Sequence, residues 1–202
     1  SSQEALAATR AYLQDIQRLQ REGGSDLEDL QAMVRRQVRE PRVAHVAART
    51  EAALQAGTSF RERWIRFWSN HFSVSGNGAQ EAMVAPTLES EAIRTHAFSD
   101  FATLLREAEL HSAMLVYLDN AASVGPNSRA GRRVGRGLNE NHAREILELH
   151  TLGVGGGYDQ ADVESFARIL TGWTVGRPRL HNADQLDRAI FDARLHEPGP
   201  QT

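Results

Sequence analysis

Asn139-Glu-Asn-His-Ala-Arg-Glu-Ile-Leu-Glu-Leu-His-Thr-Leu-Gly153 is the stretch of sequence that says most about the fold and the candidate site. At about 100° per residue, Leu138, Leu149 and Leu152 share one arc of a helix, and Glu145 lies at its centre. An unpaired, ionised carboxylate is strongly disfavoured on a buried face. We therefore expect Glu145 to have an Arg, a His, backbone N–H donors or a metal as a partner, or a raised pKa.

Composition excludes several classes of site. The chain has 202 residues, 41% of them hydrophobic, and a net charge of -3, which is typical of one globular core without general attraction to nucleic acid. Cysteine is absent, so disulfides, thiolate nucleophiles and cysteine-ligated metals are excluded. All 23 basic residues are Arg, which excludes a Schiff-base lysine. No run of about 18 apolar residues exists, so no membrane span is predicted.

Hydrophobic periodicity predicts an all-α fold, an irregular multi-helix domain with long loops and few or no strands. The predicted helices run from Leu6 to the stop at Gly23-Gly24, from the cap Ser25 to Val38, from Pro41 to just before Gly57, from Thr58 or Ser59 to about Ser75, over roughly 86–97, 99–109 and 111–119, through the stretch 139–153 quoted above, and from Asp159 to Trp173. We divide the chain into N-terminal helices (1–57), a helical core (58–176) and an incomplete C-terminal segment (177–202). The ending at Gly199-Pro-Gln-Thr202 lacks a closing element, which predicts a fragment of a larger protein.

His71 continues an aromatic stripe on its helix. Phe60, Trp64, Phe67 and Trp68 lie at i, i+4, i+7 and i+8, and His71 follows at i+11. One interpretation is a core histidine that donates a ring N–H to a backbone carbonyl. The alternative makes His71 a ligand, an acid–base group or the buried partner of Glu145.

Carboxylates at helical spacing also predict a cation site. Glu145 and Glu148 are three residues apart, and Asn141 lies four residues before Glu145. Helical di-metal proteins use Glu-x-x-His, whereas His150 follows Glu148 by two residues and lies roughly 140° from the direction of Glu145. The set Glu145, Glu148 and His150 is therefore an imperfect candidate for a divalent metal. A buried ionic network that holds the following loop is the alternative.

Two further segments suggest anion binding only weakly. Gly153-Val-Gly-Gly-Gly157 precedes a helix, but Asp159 and Asp162 form a predicted capping box there, so a helix stop explains the glycines better. Four arginines of the loop 121–137 concentrate positive charge: Arg129, Arg132, Arg133 and Arg136. No aromatic residue alternates with them, so we interpret the segment as a solvated, flexible loop, and nucleic-acid binding is the least favoured function.

Several blocks between residues 60 and 176 together resemble a bacterial family known as domain of unknown function 1800. The matching blocks are Phe67-Trp-Ser-Asn-His-Phe72, Ala113-Met-Leu-Val-Tyr-Leu-Asp-Asn120, Gly137-Leu-Asn-Glu-Asn141, Ala143-Arg-Glu145, Glu148-Leu-His-Thr-Leu-Gly153, Gly156-Gly-Tyr158 and Leu170-Thr-Gly-Trp173. The resemblance implies a longer protein, a frequent secretion signal, a periplasmic or extracellular setting, and a gene neighbourhood shared with another secreted protein. His142 departs from the family pattern, which usually has an aromatic or aliphatic residue there. The resemblance implies no activity.

Two functional hypotheses follow. In the first, the protein is an exported enzyme or metal-binding protein whose polar site catalyses hydrolysis. The catalytic candidates are His71, Glu145 and Glu148, the substrate-binding candidates are Asn139, Asn141 and Arg144, and the metal candidates are Glu145, Glu148 and His150. In the second, the chain is a non-enzymatic helical interaction or scaffold module of the cell envelope, and the polar site is structural.

Overall fold

The computed structural model describes residues 1–21, 32, 34–55, 57, 59–76, 79–134, 137–178 and 180–201. The α-helices are α1 (Ser2–Arg21), α2 (Glu40–Gln55), α3 (Ser59–His71), α4 (Ala79–Leu88), α5 (Arg94–His96), α6 (Phe101–Glu109), α7 (Ser112–Tyr117), α8 (Gly131–Val134), α9 (Asn141–Glu145) and α10 (Gln160–Leu170). Wider π-helical turns cover Arg35–Arg39, Glu89–Ile93 and Ile146–Thr151, and 3-10 turns cover Asn120–Ala122 and Ala183–Gln185. Strands β1 (Trp173–Val175) and β2 (Ala189–Phe191) are the only strands within these residues.

The predicted mainly helical class is confirmed. The Asp159 capping box at the start of α10 is also confirmed, since Asp159 accepts from the backbone N–H of Asp162 and Asp162 from that of Asp159. The helix predicted from Ser25 lies largely outside the described residues. Trp173, predicted to end a helix, instead begins β1, which pairs antiparallel with β2 in the register Trp173↔Phe191.

The helix predicted over roughly 86–97 begins earlier, at Ala79. In the fold Pro86 lies inside α4, where it removes one backbone hydrogen bond. Ala82, Val84 and Leu88 of this helix are buried, so packing against the core outweighs the unfavourable proline.

The buried hydrophobic residues form two clusters. The larger cluster includes buried side chains from five helices and from residues next to them: Leu6 of α1, Ile65 of α3 and Phe72 directly after it, Val84 and Leu88 of α4, Ile93, Leu104 of α6 and Met114 of α7. The smaller joins α9 to α10 through Ala143, Ile146, Val163, Ala167 and Leu170. Asn120, which is 1% exposed, donates from Nδ2 to the carbonyls of Leu170 and Trp173 and so links the two regions.

None of the helices in the described part of the chain is both long enough and apolar enough to cross a membrane.

Candidate functional site

The motif helix buries a different face from the one predicted. Leu149 and Leu152 are 60% and 57% exposed, so two of the three leucines of the predicted arc face solvent, whereas Leu138 packs against the smaller cluster. Glu145, the predicted centre of that arc, is only partly buried and forms no hydrogen bond or ion pair with the described residues. Its carboxylate therefore does not need the buried partner that the sequence predicted.

The buried face is formed by His142, Ala143, Ile146 and His150. The helical period itself is not at fault, because 100° per residue places His142, Ala143, Ile146 and His150 within about 100° of one another. The error was to take the leucine face, centred on Glu145, as the buried one. The helix widens at Ile146 into a π-helical turn, in which the backbone N–H of Leu152 bonds to the carbonyl of Leu147, five residues earlier.

Glu109, the last residue of α6, is the carboxylate that these buried histidines contact. Its Oε2 accepts a hydrogen bond of 2.9 Å from Nε2 of His142, and its Oε1 lies 2.7 Å from Nδ1 of His150. The second N–H is not well aligned with its oxygen, so this contact is a close ion-pair geometry rather than a good hydrogen bond. Glu109, His142 and His150 are 3%, 0% and 6% exposed. We call these three residues the Glu109 centre.

The electrostatics of the Glu109 centre favour an ionised carboxylate. Burial raises the pKa of Glu109, but the polar contacts and charge of His142 and His150 outweigh burial and hold this pKa below its ordinary value. Because a carboxylate only accepts, Nε2 of His142 carries the proton. Nδ1 of His142 is buried and has no hydrogen-bond partner among the described residues.

The interatomic distances in the Glu109 centre fit direct contacts rather than shared coordination of an ion. Two ligand atoms on one tetrahedral zinc ion would lie about 3.4 Å apart, given bonds of about 2.1 Å. The oxygen–nitrogen distances here are 2.9 Å and 2.7 Å. In the described part of the chain, no three His, Asp or Glu side chains are arranged to hold a metal ion.

His71 lies beside the Glu109 centre and meets its backbone. Its Nε2 is 3.1 Å from the carbonyl oxygen of His150, which can only accept, so Nε2 donates. Its ring also stacks at 6.4 Å from Phe67 and lies edge-on to Trp68 at 5.5 Å. The interpretation of His71 as a histidine bonded to a backbone carbonyl is confirmed. No polar contact joins His71 to Glu145 in the described residues.

The predicted metal set is not brought together. The side chain of His150 points to Glu109, while Glu148 accepts from Arg144 Nη1 at 3.2 Å on the partly exposed side. Glu145 makes no polar contact with His150 or with Glu148 among the described residues.

The predicted substrate-binding residues have local structural contacts. Arg144 donates from Nη2 to Glu140 at 3.3 Å and to Gln160 of α10 at 2.8 Å. Asn139 Oδ1 accepts from the backbone N–H of Asn141 at 2.9 Å and so satisfies a free donor at the start of α9. The side chain of Asn141 is exposed. These contacts fix the ends and neighbours of the motif helix.

Sequence reasoning missed Glu109, the acidic member of the site. A weak signal existed, because Glu109 follows the apolar residue Leu105 by four positions on the predicted helix 99–109 and so lies on the same side of it. The pairing itself joins residues 33 positions apart. No local pattern specifies which buried histidine a distant carboxylate will meet.

The fold and the site together define a mainly helical protein built around a buried carboxylate–histidine centre. The chain belongs to the family described as proteins of unknown function (DUF1800), which matches residues 1–202. Comparisons with curated proteins and with solved structures give no significant match.

Proposed function

We propose that the chain is a non-enzymatic helical interaction module of the bacterial cell envelope, in which the Glu109 centre holds the motif segment 137–153 in place. The observation that carries this proposal is burial, because all three side chains of the centre are at least nine-tenths buried. A substrate would have to displace packed side chains to reach them. A buried ionic network of this kind fixes one arrangement of the elements that it joins.

An exposed aromatic surface supports the interaction role. Phe60, Phe67 and Phe98 are 60%, 52% and 54% exposed, and Trp64 lies between the first two, with its ring centroid 6.1 Å from that of Phe60 and 5.3 Å from that of Phe67. The Phe60 and Phe98 rings are 6.5 Å apart, and Arg61 lies over Phe98 at 5.5 Å. Clustered exposed aromatic side chains are typical of protein-binding surfaces. We call Phe60, Trp64, Phe67 and Phe98 the aromatic surface.

We take the cellular setting and the partner from what the family resemblance implies. We place the protein in the periplasm or outside the cell, and we take another secreted protein of the same gene neighbourhood as the partner of the aromatic surface.

The partner assignment is tested by mixing the purified chain with that secreted protein and measuring complex formation by size-exclusion chromatography and titration calorimetry. We expect a complex that the double variant Phe60→Ser, Phe98→Ser weakens by about tenfold or more, as loss of central aromatic contacts does. Phe191→Ser removes a ring that is 45% exposed on β2 and serves as the control. The absence of a complex, or equal weakening by the control, would contradict the assignment.

A hydrolytic or metal-dependent enzyme is the second candidate, and one contact favours it. A carboxylate at Nδ1 of a histidine is a common way to orient an imidazole for proton transfer or for a divalent metal, and Glu109 lies at Nδ1 of His150. This candidate requires stoichiometric metal, or a hydrolytic activity, that a folded Glu109→Gln variant loses. The first candidate predicts neither.

A further inference from the structure

A cavity lined by arginines lies on another part of the molecule. Its volume is about 430 Å³, and its wall comes from the loop 121–133, from β1 and the residues that follow it, and from residues 192–195. The charged and titratable lining residues are Arg129, Arg133, Arg177, His181, Asp192 and Arg194. Cavities of this size accommodate small molecules rather than polymers.

The wall is ordered by backbone contacts. The N–H of Gly125 donates to the carbonyl of Leu195 at 2.9 Å, and the N–H of Ala130 donates to that of Arg194 at 3.0 Å. A side chain at Gly131 would place its Cβ 2.2 Å from the carbonyl oxygen of Gly125, so this close turn requires glycine. Within residues 121–134 the loop is therefore packed against the C-terminal segment, while Arg129, Arg132 and Arg133 are exposed, as the interpretation of a solvated loop expected.

The cavity carries excess positive charge. Four guanidinium groups against one carboxylate leave a net charge of +3 with His181 neutral, in a chain whose net charge is -3. The hydrogen bonds of His181 require a neutral ring. Its Nδ1 accepts from the backbone N–H of Arg177, so only Nε2 carries a proton, and Nε2 donates it to Asp192. Such concentrated charge attracts an anion.

Asp192 does not offset the remaining arginines. Arg194 donates to it from Nε at 2.8 Å and from Nη2 at 2.7 Å, and His181 donates at 3.0 Å. The hydrogen bonds from Arg194 lower the pKa of Asp192 to about 2, although burial opposes this. The carboxylate is thus fully occupied, whereas the guanidinium groups of Arg129 and Arg133 form no hydrogen bond or ion pair with the described residues.

The rest of the lining is mostly apolar. Ala121, Ala122, Val124, Leu180 and Leu195 surround the charged groups. A ligand that fits both parts of the wall has an anionic end and a short hydrophobic body. Guanidinium groups bind phosphate and carboxylate oxygens with paired N–H donors, so either head group matches.

We propose that this cavity binds a small organic oxyanion, with its phosphate or carboxylate head on Arg129 and Arg133 and its apolar body against the alanine and leucine side chains. This site goes beyond the proposed function. No residue of the Glu109 centre or of the aromatic surface lines the cavity, so each proposal can fail without the other.

Titration calorimetry at low salt with phenyl phosphate, benzoate and inorganic phosphate tests the site on the whole chain. We expect saturable one-to-one binding of phenyl phosphate or benzoate, and weaker binding of inorganic phosphate, which lacks the apolar body. The preferred organic ligand identifies the head group. Arg129→Gln and Arg133→Gln should each weaken binding by about tenfold, the typical effect of losing a charged hydrogen bond.

Arg132→Gln is the matched control, because it makes the same change in charge on a neighbouring residue that lines only the adjoining depression, which shares Arg129 and Arg133 with this cavity. It should change the affinity by less than about threefold, the effect of a surface charge alone. Circular dichroism and melting temperature confirm that each variant is folded. Equal weakening by Arg132→Gln, or no saturable binding of either organic anion, would overturn the proposal.

Discussion

Replacing Glu109 with alanine is expected to lower the free energy of unfolding by about 3–5 kcal/mol, the usual effect of removing one partner from a buried ionic contact. The variant leaves His142 and His150 buried without their carboxylate and opens a small cavity at the end of α6. The measurement is urea-induced unfolding at pH 7, followed by circular dichroism.

Glu107→Ala is the control for this prediction. Glu107 lies on the same helix, but its side chain is 42% exposed and its ion pair is with the neighbouring Arg106 on the surface. The control should change the free energy of unfolding by less than about 0.5 kcal/mol. Equal effects of the two substitutions would contradict a stabilising role for the Glu109 centre.

The contribution of Glu109 should also depend on pH. Its pKa in the folded protein lies below the ordinary value of 4.5, so its stabilising contribution is complete above that pH and is lost as the pH falls through the folded value. The difference in unfolding free energy between the unchanged chain and Glu109→Gln should therefore be full at pH 7 and shrink below about pH 4.5. A difference that grows on acidification would contradict this sign.

Arg94→Met is expected to have the second largest effect, a loss of about 3 kcal/mol in the free energy of unfolding. Arg94 donates from Nη1 and Nη2 to both oxygens of Glu62 at 2.9 Å, and from Nη2 to Glu89 at 2.9 Å. The side chains of Glu62 and Glu89 are only 13% and 8% exposed. We expect the lower end of the usual range because Arg49 still contacts Glu89 at 2.8 Å.

Two comparison variants make this prediction specific. Arg94→Lys keeps the charge but loses the paired N–H geometry, so its loss should be intermediate. Arg66→Met removes an exposed arginine of α3 and should change the unfolding free energy by less than about 0.5 kcal/mol. Thermal and urea unfolding of the three variants give the comparison. A loss for Arg94→Met no larger than for Arg66→Met would remove the case for a stabilising network.

The helices were largely predictable because their signals are local. The capping box of Asp159 and the aromatic stripe ending at His71 each occupy a few consecutive turns, so their spacing alone specifies them. The two strands were not predictable in the same way. Each has three residues, and their pairing depends on contacts between positions 173–175 and 189–191 rather than on alternation within either strand.

The candidate site was predictable only in part. The sequence indicated a buried polar helix and included His150 among its candidates, but it assigned the burial to Glu145. The 3.6-residue period places His142, Ala143, Ile146 and His150 on one face, but it does not say whether that face or the leucine face is the buried one. The contact between Glu109 and His142 is tertiary, so it depends on how α6 packs against α9.

Amide hydrogen exchange of the motif segment, measured by mass spectrometry in the unchanged chain, Glu109→Gln and Glu107→Gln, tests most directly whether the Glu109 centre holds this segment. The account predicts that Glu109→Gln accelerates exchange across 141–152 by about tenfold or more, corresponding to about 1.4 kcal/mol or more of lost local stability, while α4 is affected less and Glu107→Gln changes neither region. Unchanged protection of 141–152 in a folded Glu109→Gln variant would contradict it.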